Sequence, residues 1–393
     1  MMMGIKMRRF VVVLIVVGLL TAVVLWWGQT EENTAVADTS TTYLVPDQTD
    51  TTGFAQATTP NAVTFPEAFG PHNDYQTEWW YYTGNLTTAE GRDFGYQFTI
   101  FRRALTPEQT QTSSDWRSNQ FYFAHFAVSD IANDDFYYFE KFSRGAAGLA
   151  GAQATPYEVW IEDWSVAEQA DGTIFMQANQ DNIRLELTLT QTRPPILHGA
   201  GGLSIKGSTP GNASYYYSQI GQQTAGTITI GDEVIPVTGQ SWKDHEYSTT
   251  ALDNGAIGWD WFSLQFDNAD QNALMLFQIR REDGSFQPES GGSWILPDGS
   301  VEKIALEDMQ IEVLDTWTSP HTGADYPSEW RIQIPKIGLD ITGRALMADQ
   351  ELNLSTTYWE GAVAFEGTLN GEPVSATGYV EMTGYAGSMA GRI

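Results

Sequence analysis

"EWWYYTGNLTTAEGRDFGYQFTIFRR", residues 78–103, holds two runs of large side chains around the polar stretch "TTAEGRD". On an extended chain successive side chains point to opposite faces. Glu78, Trp80 and Tyr82 then share one face, and Trp79, Tyr81 and Thr83 share the other. Both faces are aromatic, so both must be covered. The stretch reads as a hairpin whose first strand turns one face into its own β-barrel and the other towards a second body. Glu78 on such a strand must be hydrogen-bonded, because an unpaired buried carboxylate costs several kcal/mol or protonates. It reads as a structural acid.

A second stretch repeats the plan. "WDWFSLQFDNADQNALMLFQIRR" (259–281) again joins a Trp-rich strand with an acid to an alternating strand ending Arg-Arg. The match aligns Trp80 with Trp261 and predicts equivalent strand pairs in two domains of one design. Short alternating segments recur throughout, as in "IRLELTLTQT" (183–192) and "GTITIGDEVIPVTG" (226–239). "GAVAFEGTLNGEPVSATGYVEM" (361–382) carries Asn-Gly at its centre, a hairpin-turn signal. No long amphipathic helical pattern follows the N-terminal region. The body is predicted all-β, with domains over 63–237 and 238–393.

Before the body, Lys6, Arg8 and Arg9 precede an uncharged apolar run from Phe10 to Gly28. Its length approaches that of a membrane-spanning helix, and its basic flank predicts a cytoplasmic start. "AVA" at 35–37 leaves open a cleaved signal peptide. Residues 1–28 are thus expected to be an anchor or signal, and 29–62, rich in Thr, a disordered tether. Either reading predicts an extracytoplasmic body, membrane-anchored or secreted.

A net charge of −29 without a basic stripe excludes a nucleic-acid partner. The absence of Cys removes disulfides, thiolate metal sites and a Cys nucleophile. The five His residues lack zinc-site spacing, and no Gly-x-Ser-x-Gly or phosphate-loop motif occurs, so neither metal nor cofactor is expected. With 14 Trp and 13% aromatic residues, an aromatic-lined cavity is favoured.

The densest chemistry is "GQSWKDHEYS" (239–248) followed by "GWDWFSLQFD" (258–267). Asp244, His245, Tyr247 and Asp260 are the parts of a general acid–base site, with Trp259 and Trp261 beside them. A buried His–Asp pair tying two strands together is the structural alternative. "YWEG" adds Trp359 next to Glu360, a further aromatic–acid pair read as structural.

These motifs, in order, carry a resemblance. "GPHNDYQTEWWYYTGNL", "SYYYSQ", "GQSWKDHEYS", "GWDWFSLQF", "LMLFQIRREDGS", "YPSEWRIQIP" and the 358–385 stretch resemble the carotenoid 1,2-hydratase (hydroxyneurosporene synthase) and AttH-like family, over about residues 65–390. The resemblance implies two tandem lipocalin-like (calycin) barrels with a cavity at or near their junction. It implies a hydro-lyase that hydrates an alkene of an extended apolar ligand without a cofactor. The family's implicated His matches His245; the aromatic two residues later, often Trp, is Tyr247. The Tyr and Asp that hydratases carry on a following strand are replaced by Phe277 and Gln278 in the best-matching stretch.

The combined reading is an exported protein binding a carotenoid, isoprenoid or lipid. Asp260 or Asp244 donates a proton, rings of Trp259, Trp261, Trp79, Trp80 and Trp359 contact the ligand, and His245 handles the water. The alternatives are a non-catalytic lipid carrier, including a transport-linked component, and, lower, a carbohydrate-binding β-protein.

Overall fold

A computed structural model describes residues 51–108, 114–250, 252 and 255–389. The expected anchor and most of the tether lie outside these residues. Among the described residues no helix is long and apolar enough to cross a membrane.

Two antiparallel sheets carry the fold. The first runs in the order Asp135–Arg144, Gln120–Asp130, Asp93–Ala104, Thr77–Thr87, Glu233–Thr250, Ala213–Ile230, Ile183–Thr190, Ile174–Gln180, Trp164–Glu168, Tyr157–Ile161, Ala150–Ala154. The second runs Val301–Ala305, Gly291–Ile295, Ala273–Arg281, Ala256–Phe266, Glu372–Thr383, Thr357–Leu369, Leu339–Ala345, Asp325–Ile334, Gln310–Thr318. In each, the first four strands form a meander whose opening strand pairs with the last strand of its sheet. The two sheets therefore share one plan, and each curls around its own apolar core as a lipocalin-like barrel.

Local chemistry supports the long hairpins. Ile230 pairs with Glu233 across Gly231–Asp232, and Leu369 with Glu372 across Asn370–Gly371. Gly231, Asn370 and Gly371 all have positive φ, as the tight turns matching strand twist require. The second of these is the Asn-Gly turn expected from sequence.

Period-two alternation sorts the side chains. Trp80 and Tyr82 enter the first core with Phe98, Ile100 and Trp164. Phe262, Leu264 and Leu276 enter the second with Trp330 and Trp359. Tyr81, Tyr216, Trp242 and Trp261 meet in a third cluster between the sheets, with Trp79 and Trp259 packed against it. The two aromatic faces of "EWWYY" therefore do part, one to the barrel and one to the junction.

Three expectations need correction. Trp80 and Trp261 lie on corresponding strands but on opposite faces, barrel interior and junction respectively, so the motif alignment is out of phase with the pleat. The division between 237 and 238 falls inside Glu233–Thr250, an 18-residue strand paired along both edges within the first sheet. The change of sheet lies between Thr250 and Ala256. Finally, the described part of the expected tether is packed: Phe54 and Ala57 are buried, and the Ala55 N–H donates to Asp74 O at 2.9 Å. Residues 51–76 form a strap whose Ala57, Val63 and Ala68 cover Tyr215, Tyr217 and Tyr247.

Candidate functional site

The strand pairing brings together residues far apart in sequence. Trp80 lies opposite His245, Glu78 opposite Tyr247 and Tyr82 opposite Lys243. On the other edges of these strands, Tyr217 lies opposite His245 and Arg102 opposite Glu78. Alternation points Glu78, Arg102, Tyr217, Lys243, His245 and Tyr247 to the first-barrel side.

Glu78 is the hub. His245 Nε2 lies 2.8 Å from its Oε1, and His72 Nδ1 lies 2.7 Å from the same oxygen. Arg102 Nε donates to Oε2 at 2.7 Å, and the His72 backbone N–H donates there at 2.9 Å. Burial alone would push the carboxyl up. The charges of Arg102 and His72 and the hydrogen bonds from both histidines instead hold it well below the usual range. The acid is thus ionised and satisfied, as its buried position demands.

His245 has no exposed surface. Burial lowers its pKa to about 4, against the opposing pull of Glu78, so the ring is neutral at pH 7. With Glu78 ionised, Nε2 carries the proton and donates. Nδ1 then accepts from the Tyr217 hydroxyl, 2.9 Å away. That hydroxyl also lies 3.2 Å from Ala68 O of the strap, and Trp80 Nε1 donates to Phe69 O at 3.2 Å. Tyr247 stacks on His72 with ring centres 3.5 Å apart.

Two residues before His245, Lys243 is buried on the same face. Its Nζ donates to Gln219 Oε1 at 3.0 Å and sits 4.2 Å from the ring of Tyr157 and 5.7 Å from that of Tyr217. Burial lowers this amine to about 7. Tyr82 and Tyr157 share a 2.7 Å hydrogen bond between their hydroxyls.

His72, Glu78 and His245 also offer three ligand-type atoms within 4.8 Å of one another, and they form the one such group among the described residues. Two imidazoles and a carboxylate suit a divalent transition metal. Arg102, however, already supplies a positive charge to this carboxylate at 2.7 Å.

The remaining predicted residues go elsewhere. Asp244, next to His245, faces the junction; Trp242 Nε1 and the Tyr216 hydroxyl each donate to it at 2.6 Å, and the Ser218 hydroxyl is a third donor. Trp261 Nε1 donates to the Tyr216 hydroxyl at 3.1 Å. Burial raises Asp244 to about 7. Trp79 and Trp259 are half-buried on the same side, and Trp259 Nε1 donates to Glu381 at 2.9 Å. Glu360 lies directly across from Glu381. Neither of its buried carboxylate oxygens meets a hydrogen bond of good geometry. Burial and then Glu381 push Glu360 well above the usual carboxyl range, and burial takes Glu381 to about 7. Glu360, read from the sequence as a structural acid, is a buried carboxyl whose surroundings favour the protonated form.

Asp260 belongs to the second barrel, where Arg280 Nε donates to it at 3.2 Å and the Tyr385 hydroxyl does so at 3.2 Å. Trp359 is buried in that core, its Nε1 donating to Ala348 O at 2.8 Å. The structure therefore unites Glu78, Trp80, His245 and Tyr247. It places Asp244, Trp79, Trp259, Trp261 and Glu360 in the junction and Asp260 and Trp359 in the second barrel. Sequence reading missed His72, Arg102, Tyr217 and Lys243. Arg102 follows from hairpin register, and Lys243 from its spacing to His245 on one strand face. His72 leaves no local signal.

The AttH-like family profile matches residues 56–385. A kievitone hydratase of Fusarium solani subsp. phaseoli is 25% identical over 256 residues, 59% of this chain and 66% of that relative. Dehydratase asqC of Emericella nidulans is 24% identical over 234 residues, 53% of this chain and 61% of that relative. The matched regions thus span less than two thirds of either relative. A crystal structure of an AttH protein from Nitrosomonas europaea, 35% identical, covers 84% of this chain and all of its own, with a TM-score of 0.73. The kievitone hydratase structure from Nectria haematococca covers 85% of this chain and 97% of its own at a TM-score of 0.64; at 15% identity that likeness concerns the fold. With the profile spanning both barrels, the chain belongs to the AttH-like family.

Proposed function

We propose that the chain catalyses addition or elimination of water at a carbon–carbon double bond of an extended apolar ligand, with the chemistry in the first barrel. The observation that carries this reading is the contrast between the twin barrels. The strand that takes the place of the His245 strand in the second sheet turns Val374, Ala376, Val380 and Met382 into its core. The strand beside it contributes Trp359, Val363 and Phe365. One barrel closes on the shared plan with apolar residues there, so the plan itself does not require His245, Tyr217 or Lys243.

Tyr217 is the group that exchanges a proton with the reacting atoms. His245, neutral and oriented by Glu78, takes the phenolic proton while the hydroxyl oxygen accepts one from water. Glu78 stabilises the imidazolium that forms. Relays of this kind contribute roughly 10²–10⁴ in rate. Tyr247 holds His72 against Glu78. The hydratase and dehydratase names of the two relatives support the reaction class.

The apolar run at 10–28 supports an exported, membrane-attached body, and an isoprenoid or lipid partner suits a barrel so lined. The strap over the barrel end would equally suit a carrier that retains its ligand without turnover. One experiment separates the two. The compound that co-purifies with the native protein is identified by mass spectrometry, and the complex is then incubated in H₂¹⁸O. Label entering a hydroxyl of that compound supports the enzyme, whereas stable, unlabelled retention supports the carrier.

A further inference from the structure

Among the described lysines, Lys243 is the buried one with no carboxylate in ion-pair range, whereas Lys303 is exposed and the others are paired. Lys141, Lys206 and Lys336 each lie beside a carboxylate, at Asp163, Glu246 and Asp308. Lys243 is 1% exposed, and the hydrogen bond recorded for its amine is the one to the neutral Gln219 side chain. Phe69, Tyr82, Tyr157 and Tyr217 surround it with ring centres 4.2–5.7 Å away. A buried cation without an opposite charge is disfavoured, so the surroundings select the free amine. A free primary amine in an apolar, aromatic enclosure is the arrangement of imine-forming lysines. Two residues along the same strand face stands His245, whose relay ends at Tyr217.

We propose that Lys243 forms an imine with the carbonyl carbon of an apolar, conjugated aldehyde or ketone, which defines the substrate class of the first-barrel site. In the first step the amine nitrogen bonds to the carbonyl carbon, the carbon–oxygen bond breaks, and oxygen leaves as water with both amine protons. A proton on the imine nitrogen makes it an electron sink. Water then adds to the β-carbon and passes a proton to Tyr217 and His245. The alkene π pair moves through the α-carbon towards nitrogen, giving an enamine, and the α-carbon takes up the proton that Tyr217 and His245 received from the water. Hydrolysis releases the β-hydroxy carbonyl compound and the free lysine. No oxidant or reductant is required. Elimination of water is the same sequence reversed.

This inference rests on the first barrel being the ligand site, but its test does not depend on turnover. The full chain is incubated with citral, an apolar conjugated aldehyde, and imines are fixed with sodium borohydride. Reduction converts the carbon–nitrogen double bond to a stable secondary amine that peptide mass spectrometry locates. Phe69→Ala, which opens the strap above the amine, is treated in parallel so that slow entry cannot hide the reaction. The expected result is an adduct at Lys243 at least about tenfold above that at Lys141, Lys206, Lys303 or Lys336, since burial without a counter-charge favours the free amine. The preference should vanish in urea and the adduct should vanish in Lys243→Arg. Tyr217→Phe should keep the adduct, and with it ¹⁸O exchange at the carbonyl oxygen, while losing entry of ¹⁸O into the hydroxyl, which separates this inference from the relay. Absence of a Lys243 adduct in both wild type and Phe69→Ala, or an even spread over the surface lysines, would overturn it.

Discussion

Glu78 and His245 are 167 residues apart, yet their side chains meet at 2.8 Å inside the first barrel. The contact exists because the Thr77–Thr87 strand pairs with Glu233–Thr250 in the register that sets Trp80 against His245. It couples the stability of the barrel to the ionisation of the site.

Arg102→Leu leaves the Glu78 carboxylate without its buried guanidinium. Removing one partner of a buried pair should destabilise the protein by roughly 3–5 kcal/mol. Asp260→Asn, at the less deeply buried Arg280 pair of the second barrel, should cost about 1–3 kcal/mol and leave ¹⁸O entry into the hydroxyl unchanged. Urea unfolding of both variants checks the order; a larger loss at Asp260 would contradict it.

Burial of Lys243 makes a pH prediction with a definite sign. Its folded pKa, about 7, lies below the ordinary lysine value, so the unfolded chain binds the proton more tightly. The penalty is full below pH 7 and is relieved as pH rises towards the ordinary range. Wild type should therefore gain several kcal/mol relative to Lys243→Met between about pH 7 and 10. A flat difference across that window would show that the amine keeps its charge in the folded state.

The junction acids behave oppositely. Asp244 and Glu381 are raised to about 7, so the folded protein holds protons that the unfolded chain releases from about pH 4 upward. Their contribution to stability falls as pH rises from 4 to 7 and is then constant. Asp244→Asn should gain on wild type by a few kcal/mol over that window. Paired urea titrations at pH 4.5 and 7.5 measure the change, and a gain in the other direction contradicts the assignment.

Much of the fold was legible because sheet side chains repeat every two residues. The faces of "EWWYY", the Asn370–Gly371 turn and the corresponding strand pairs all follow from local pattern. The Gly231–Asp232 turn ties Glu233–Thr250 locally to Ala213–Ile230, but its length and its other pairing were not legible, since Thr77–Thr87 is remote in sequence and nothing local marks that contact. The same alternation explains the scattering of the expected site. Asp244 and His245 are adjacent, and so are Trp259 and Asp260, but neighbours on a strand between two compartments open into different ones. Proximity in sequence grouped residues that the sheet separates. The hydrogen bonding that a buried Glu78 demands is legible from its strand face, and register adds His245 to its partners.

The central claim is that the Glu78–His245–Tyr217 relay moves the proton in water addition. The most direct measurement is the rate of ¹⁸O transfer from water into a hydroxyl of the co-purifying ligand for wild type, Tyr217→Phe, His245→Ala and Asp244→Asn. The account predicts a loss of about 10²-fold or more in the first two variants, at retained ligand binding, and less than about tenfold in Asp244→Asn. Exchange that survives Tyr217→Phe and His245→Ala but disappears in Asp244→Asn would move the chemistry to the junction and contradict the claim.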